Sequence, residues 1–269
     1  MIVIGENINA SNKSVAEAIV NKDVDFLQNL ARDQVAAGVD FIDVNSGIGT
    51  ASMDYEAEVM EWLVEVVQGV TDKPLVIDSS CPRVIAVALG KYHGEKLMIN
   101  SVTAEPERLE TIGSLAAEHQ TFLVALAMGE EGVPNSVEGR LDACERIVVR
   151  LTQLGLSEEH IFFDPLILPI AVDANQGMVT LRTLEQIKLH YPSAKTVMGL
   201  SNISFGLPKR NLINRAFLLM AASAGLDAVI LNPLETKMMS LVKVADMLGG
   251  KDPGCRGYIR AYRKGVLVD

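Results

Sequence analysis

A short apolar run that closes on a polar side chain, passes through a loop and enters an amphipathic helix recurs along the whole chain, and this recurrence most restricts the fold. The stretch 196–202, Thr-Val-Met-Gly-Leu-Ser-Asn, shows the pattern: a run fit for a buried strand, two polar side chains, a Gly/Pro turn at 205–208, then a helical segment. Strands are predicted at 2–5, 41–44, 75–77, 97–99, 122–127, 161–163, from 196, and at 229–231. Helices are expected at 15–37 with a break at 21–23 and a stop at Gly38, then at 54–68, from Pro82, and at 106–118, 137–154, 181–191, 212–223 and 237–248. Eight strand–helix units predict a (β/α)8 TIM barrel forming a single domain over 1–269, near the ~250 residues usual for that fold. No linker-like stretch divides the chain, and the Gly-rich loop that an open doubly wound sheet wants after its first strand is missing. Apolar residues make up 49% of the chain but aromatics only 5%, as expected of aliphatic parallel strands covered by helices. Trp62 is expected in the core, and the basic tail 256–264 as a solvated strip or an interface edge.

Several function classes fall away. No apolar run reaches the ~20 residues that span a bilayer, and Met1-Ile2-Val3-Ile4 lacks the basic start of a signal peptide, so a cytoplasmic location is expected and no membrane partner. Three cysteines without CxxC spacing, Cys81, Cys144 and Cys255, support neither a disulfide framework nor a zinc site. A net charge of −10 argues against a nucleic-acid surface.

Carboxylates and amides gather at the predicted strand ends: Glu6, Asp43, Asn45, Asp78, Asn100, Asp164, Asn202 and Asn232. One such residue is usually a turn former or helix cap; only the fifth strand, ending at the thioether of Met128, departs from the series. His93, His119, His160 and His190 fall before strands or at helix ends, on the rim opposite a barrel's active face, which disfavours a histidine base or a metal centre. No lysine is expected on a strand, and Lys13, Lys209 and Lys237 sit in loops, which disfavours a Schiff base. Cys81 near Asp78 has no histidine to activate it and reads as a bystander thiol. Neutral amides and acids without a nucleophile or metal suit a planar heterocycle such as a 2-amino-4-oxopyrimidine, whose amine and adjacent ring N–H meet one carboxylate while its acceptors take amide donors.

Five blocks in order carry a family resemblance: Gly5-Glu6-Asn7-Ile8-Asn9, Ile77-Asp78-Ser79, Met98-Ile99-Asn100-Ser101, Asp164-Pro165-Leu166-Ile167-Leu168-Pro169, and Gly199-Leu200-Ser201-Asn202-Ile203-Ser204 with Leu212-Ile213-Asn214-Arg215. Together they resemble the pterin-binding methyltransferases, above all methyltetrahydrofolate:corrinoid protein methyltransferases and the folate domain of cobalamin-dependent methionine synthase. The resemblance implies a pterin held on the C-terminal rim by Asp78, Asn100 and Asp164, with Asn202 at N5, the atom that carries the methyl group. It puts Asp43 in the supporting network, and Glu6, Met128, Phe205 and Arg210 at the rim or near the folate tail; the proton that N5 exchanges is expected from solvent or through the Asp43 network. Tetrahydrofolate or 5-methyltetrahydrofolate is then the substrate. Because the chain lacks an Asp-x-His-x-x-Gly motif, the cobalamin is expected on a corrinoid partner protein that docks over the rim. A homodimer is implied as well. Two departures stand out: Phe205-Gly206-Leu207 replaces polar residues of relatives, and Met128-Gly129-Glu130-Glu131 is unusually acidic. The alternatives are a dihydropteroate synthase-like enzyme, disfavoured by Ser201-Asn202 where that enzyme carries a lysine, and a non-catalytic folate-binding protein, which has no need of Asn202.

Overall fold

A computed structural model describes residues 1–47 and 52–268. Eight parallel strands close into one barrel in chain order: β1 (Ile2–Asn9), β2 (Phe41–Asn45), β3 (Leu75–Asp78), β4 (Leu97–Val102), β5 (Phe122–Leu126), β6 (Ile161–Asp164), β7 (Lys195–Gly199) and β8 (Ala228–Leu231), which pairs back with β1. Around them run α1 (Lys13–Val20), α2 (Val24–Ala37), α3 (Met53–Gln68), α4 (Pro82–Lys91), α5 (Pro106–His119), α6 (Val137–Gln153), α7 (Gln176–His190), α8 (Arg210–Ser223), α9 (Thr236–Leu248) and α10 (Arg256–Arg263). The (β/α)8 barrel expected from the sequence is thus what the chain forms. Helix boundaries follow local chemistry. Asn12, Asp23, Ser52 and Ser136 accept hydrogen bonds from first-turn amides of α1, α2, α3 and α6. Pro82 and Pro106 open α4 and α5, and Gly38, at φ 97°, ends α2. Among the described residues no helix is long and apolar enough to cross a membrane.

The two-residue period of a strand sorts the side chains into two cores. Outward residues such as Val3, Ile42, Ile77 and Ile99 pack under the helices. Inward, each strand contributes one residue to the barrel's filling: Ile4, Phe41, Val76, Met98, Val124, Phe162, Val197 and Ala228. Two residues further along each strand, the same period turns Glu6, Asp43, Asp78, Asn100, Leu126, Asp164, Gly199 and Ile230 inward at the C-terminal rim. Five of the polar strand ends noticed in the sequence, Glu6, Asp43, Asp78, Asn100 and Asp164, therefore belong to one layer of the barrel interior.

Two local expectations need correction, and a third, the solvated basic tail, gains a helical form. Trp62 is only half-buried; it packs on the core with one side while Lys22 Nζ lies 4.1 Å from its ring centroid. Lys195 does lie on a strand, but at the N-terminal end of β7, with its ammonium 5.4 Å from the Phe162 ring centroid and far from the polar rim. The basic tail forms a helix, α10, started by Asp252, whose carboxylate accepts from Gly257 N at 2.8 Å and Tyr258 N at 2.9 Å. Its arginines stay exposed while Ala261 is buried.

β1 carries a register shift between Gly5 and Ile8, and the buried Gln34 of α2 sits against it, with Oε1 accepting from Asn7 N at 3.3 Å. A Cβ on Gly5 would lie 2.3 Å from that Oε1 and 3.0 Å from Val39 Cγ1. Gly5→Ala is therefore expected to destabilise the fold by about 1–3 kcal/mol, the usual cost of overpacking. Urea unfolding should show a lower midpoint with an unchanged slope; a midpoint equal to wild type would mean that α2 can retreat freely.

Candidate active site

One half of the rim layer is a cluster of three carboxylates from adjacent strands. Asp43 is 2% exposed, and its Oδ2 faces Asn100 Nδ2 at 3.4 Å. Asp78 accepts at Oδ2 from Asn45 Nδ2 at 2.8 Å, and Asn45 is itself oriented by Gly47 N, which donates to its Oδ1 at 2.8 Å. Burial pushes the Asp43 carboxyl well above its ordinary value, the neighbouring Asp78 and Glu6 charges push it further, and the Asn100 amide only partly offsets them. Burial likewise raises Asp78, against the Asn45 hydrogen bond, and Glu6, against the Arg210 charge. Such a cluster holds protons that isolated carboxylates would release.

The other half is built on β6 and β7. Asp164 Oδ1 accepts from Leu166 N at 2.7 Å, and the Gly199 amide also donates to this carboxylate. Burial raises it to about 7, opposed by those amides and by the Arg140 charge. Gly199 puts no side chain into the layer. Asn202 fills the direction it leaves open, its Nδ2 standing 3.6 Å from where a Gly199 Cβ would be, on a 3-10 turn over Leu200–Ser204. Among the described residues the Asn202 amide makes no side-chain hydrogen bond, and the residue is exposed.

The strand ends predicted from sequence do converge, with different degrees of contact. Asn100 donates to Asp43, Asp78 and Glu6 lie within the field of Asp43, Arg210 acts on Glu6, and Asp164 and Asn202 both approach Gly199. Arg210 is engaged with the Asn202 turn, donating from Nε to Ser204 Oγ at 3.1 Å and from Nη2 to Ser201 O at 2.7 Å. Phe205 is 64% exposed beside it, its ring centroid 5.9 Å from the guanidinium carbon. Met128 lies past the end of β5; the inward residue there is Leu126, paired in register with Asp164. Leu126 on β5 and Ile230 on β8 are apolar stations of this layer, separated by Asp164 and Gly199 on the strands between them, and their chemistry gave no sign of this in the sequence. Also missed was the Asn7–Asn232 pair, Nδ2 to Oδ1 at 3.0 Å, which leaves the buried Asn7 Oδ1 without a partner. Arg140, fully buried in α6, had no signal in the helical pattern at all. All four histidines sit on the opposite side of the barrel, at the ends of α4, α5 and α7 or in the short turn before β6. Lys13 and Lys237 begin helices rather than lying in loops, and Lys209 caps α8. Cys81 faces Met53, its Sγ 3.9 Å from that Sδ.

The family model described as pterin binding enzyme matches residues 5–232. A methylcorrinoid:tetrahydrofolate methyltransferase of Eubacterium limosum is 32% identical over 99% of this chain and 98% of its own length. Methionine synthase of Mycobacterium tuberculosis is 31% identical over 86% of this chain, which corresponds to 20% of that much longer protein. The structure of a dihydropteroate synthase from Coxiella burnetii in complex with pteroic acid superimposes with a TM-score of 0.71 over 93% of this chain and 94% of that one, at 17% identity, a likeness of fold alone.

The raised carboxyls give the free protein a definite pH response. Each binds its proton more tightly folded than unfolded, so the stabilisation it lends is complete below the unfolded value of about 4 and is lost as pH rises through the folded one. For Asp164 that window runs from the ordinary carboxyl value, 3.8, up to about 7. The Tm of the ligand-free protein is expected to fall between about pH 5 and pH 8, and Asp164→Asn, whose amide never ionises, to flatten part of the decline. A Tm that rises steadily across this range in calorimetry would contradict the burial of these groups.

Proposed function

The chain belongs to the pterin-binding enzymes, and on that premise we propose that it is a methyltransferase moving a methyl group between N5 of tetrahydrofolate and the cobalt of a corrinoid carried on a separate protein. The observation that carries this reading is an exposed, unpartnered amide, Asn202, set at the edge of a rim of buried carboxylates and amides. A pterin offers such a rim an amine and ring N–H to carboxylates and a carbonyl and ring nitrogens to amides. Asp78, Asn100 and Asp164 take those edges, and Leu126 and Ile230 supply apolar contact for the flat ring. An identity of 32% over 99% of this chain to a methylcorrinoid:tetrahydrofolate methyltransferase supports this chemistry over that of dihydropteroate synthase, to which the likeness is one of fold.

The reaction sets what the side chains must do. When the methyl group leaves N5 for Co(I), the N–C bond breaks, a Co–C bond forms and N5 ends protonated; in the opposite sense N5 attacks the methyl carbon, the Co–C pair returns to cobalt and N5 releases a proton. Asn202 donates to unprotonated N5 or, with its amide turned, accepts from protonated N5, so one side chain follows both states. An amide supplies no net proton. Asp43, buried beside Asn100, Asp78 and Glu6 with its carboxyl pushed well above the ordinary range, offers a route, alongside solvent, through which that proton enters or leaves. Glu6, Arg210, Phe205 and Met128 lie toward the folate tail and the rim. The corrinoid protein docks over this open face, and the enzyme works as a homodimer in the cytoplasm.

Purified protein, tetrahydrofolate and methylcobalamin followed by cobalamin absorbance test the reading, with the reverse reaction run from methyltetrahydrofolate and Co(I). Asn202→Ala is expected to lower kcat by about a hundredfold, the usual loss of a transition-state hydrogen bond, with a smaller change in folate affinity. Equal losses in both would reduce Asn202 to a binding group. Asp43→Asn is expected to remove a limb from the pH–rate profile, and an unchanged profile would sink the proton-route role.

A further inference from the structure

Arg140 is the largest fully buried side chain of the protein, and among the described residues no carboxylate pairs with it at salt-bridge distance. Its guanidinium reaches from α6 to neutral acceptors only: Nε donates to Pro134 O at 2.9 Å, Nη2 to Gln176 Oε1 at 2.9 Å, and Nη1 to Pro165 O at 3.0 Å, Leu166 O at 2.9 Å and Thr180 Oγ1 at 3.3 Å. A buried charge without an ionic partner is costly, and an apolar side chain of similar volume commonly serves the fold as well or better. What the charge holds here is a corner of the rim. Leu166 stands at φ 64°, a conformation most side chains avoid, with its carbonyl taken by Arg140 and by Thr180 Oγ1 at 2.9 Å and its amide donated to Asp164. The same loop supports the Asn202 turn, through Ile170 N donating to Ile203 O at 3.2 Å.

We propose that Arg140 is a positioning residue for pterin recognition: it fixes the corner 164–166, aims the Asp164 carboxylate into the rim, and sets a positive charge beside it. The inference rests on the pterin reading above. The titratable groups facing Asp164 are both from α6, Arg140 and the buried Cys144, while β5 and β7 bring Leu126 and the Gly199 amide against it. Loss of Arg140 therefore leaves Asp164 with two backbone amides and without that countercharge, and its proton becomes harder to remove.

The test is a carbon-13 NMR titration of the Asp164 carboxyl, assigned by its loss in Asp164→Asn, in wild type, Arg140→Met and Arg140→Lys, with tetrahydrofolate affinity measured over the same pH range. In Arg140→Met the titration midpoint is expected to move up by about one pH unit or more, and affinity at pH 7 to fall about fivefold or more as the ionised fraction drops. Arg140→Lys keeps the charge without the fork, so it should restore most of the midpoint and less of the affinity. It also keeps the test open if Arg140→Met does not fold. A lowered Tm with the Asp164 midpoint and the pH dependence of binding unmoved in Arg140→Met, or wild-type tetrahydrofolate affinity in Arg140→Lys, would overturn the proposal. Failure of wild type to bind tetrahydrofolate would strike the functional reading instead, and the carboxyl titration would still decide for or against Arg140.

Discussion

The two-residue period of a strand, imposed on a closed barrel, is the constraint from which the rest follows. Closure means that inward side chains have nowhere to go except against one another. Eight apolar residues, one per strand, fill the middle. Two positions on, the same geometry must deliver something to a layer that has protein beneath it and no helix above. Apolar residues there would extend the core; polar ones make a receptor. This chain places carboxylates or amides on β1, β2, β3, β4 and β6 and leaves the rest apolar or empty. The packing rule that builds the fold is the one that assembles the site.

Placing ionisable groups in that layer costs stability, which local chemistry only partly offsets. Asn45 and Asn100 each serve one carboxylate, and the Leu166 and Gly199 amides serve Asp164. In every case desolvation remains the largest effect on the group. A ligand presenting several N–H groups would relieve it, which gives binding a driving force beyond simple contact area. The exposed Asn202 carries no such penalty, and its place at the edge suits a group that must respond to a substrate rather than hold up the wall.

Much of this was legible in the sequence because strand ends in a barrel are local events. An apolar run followed by Asp or Asn reveals both the strand and its functional end, as at Ile77-Asp78 and Phe163-Asp164. Relations across the fold were not legible. Arg140 lies in an amphipathic helix where an arginine ordinarily faces water, and nothing local announces that Pro165, Leu166 and Gln176 will surround it. Leu126 was hidden by its chemistry, since an inward leucine at the rim reads as one more core residue. α10 was obscured by its charge: five basic or aromatic residues on a short segment outweigh the one buried alanine that docks it.

Gly199 gives the rim an orientation. A ring with a side chain at every station would present much the same wall from all sides, whereas a ring with one gap has a front. The gap at β7 is where a loop, rather than a strand, reaches the layer with Asn202. A flat molecule lying on this layer therefore meets fixed groups along most of its edge and an adjustable one along the remainder. Changes in the turn over Leu200–Ser204 could retune the chemistry while leaving the recognition wall untouched, a division of labour that makes the reacting edge the evolvable part of the barrel.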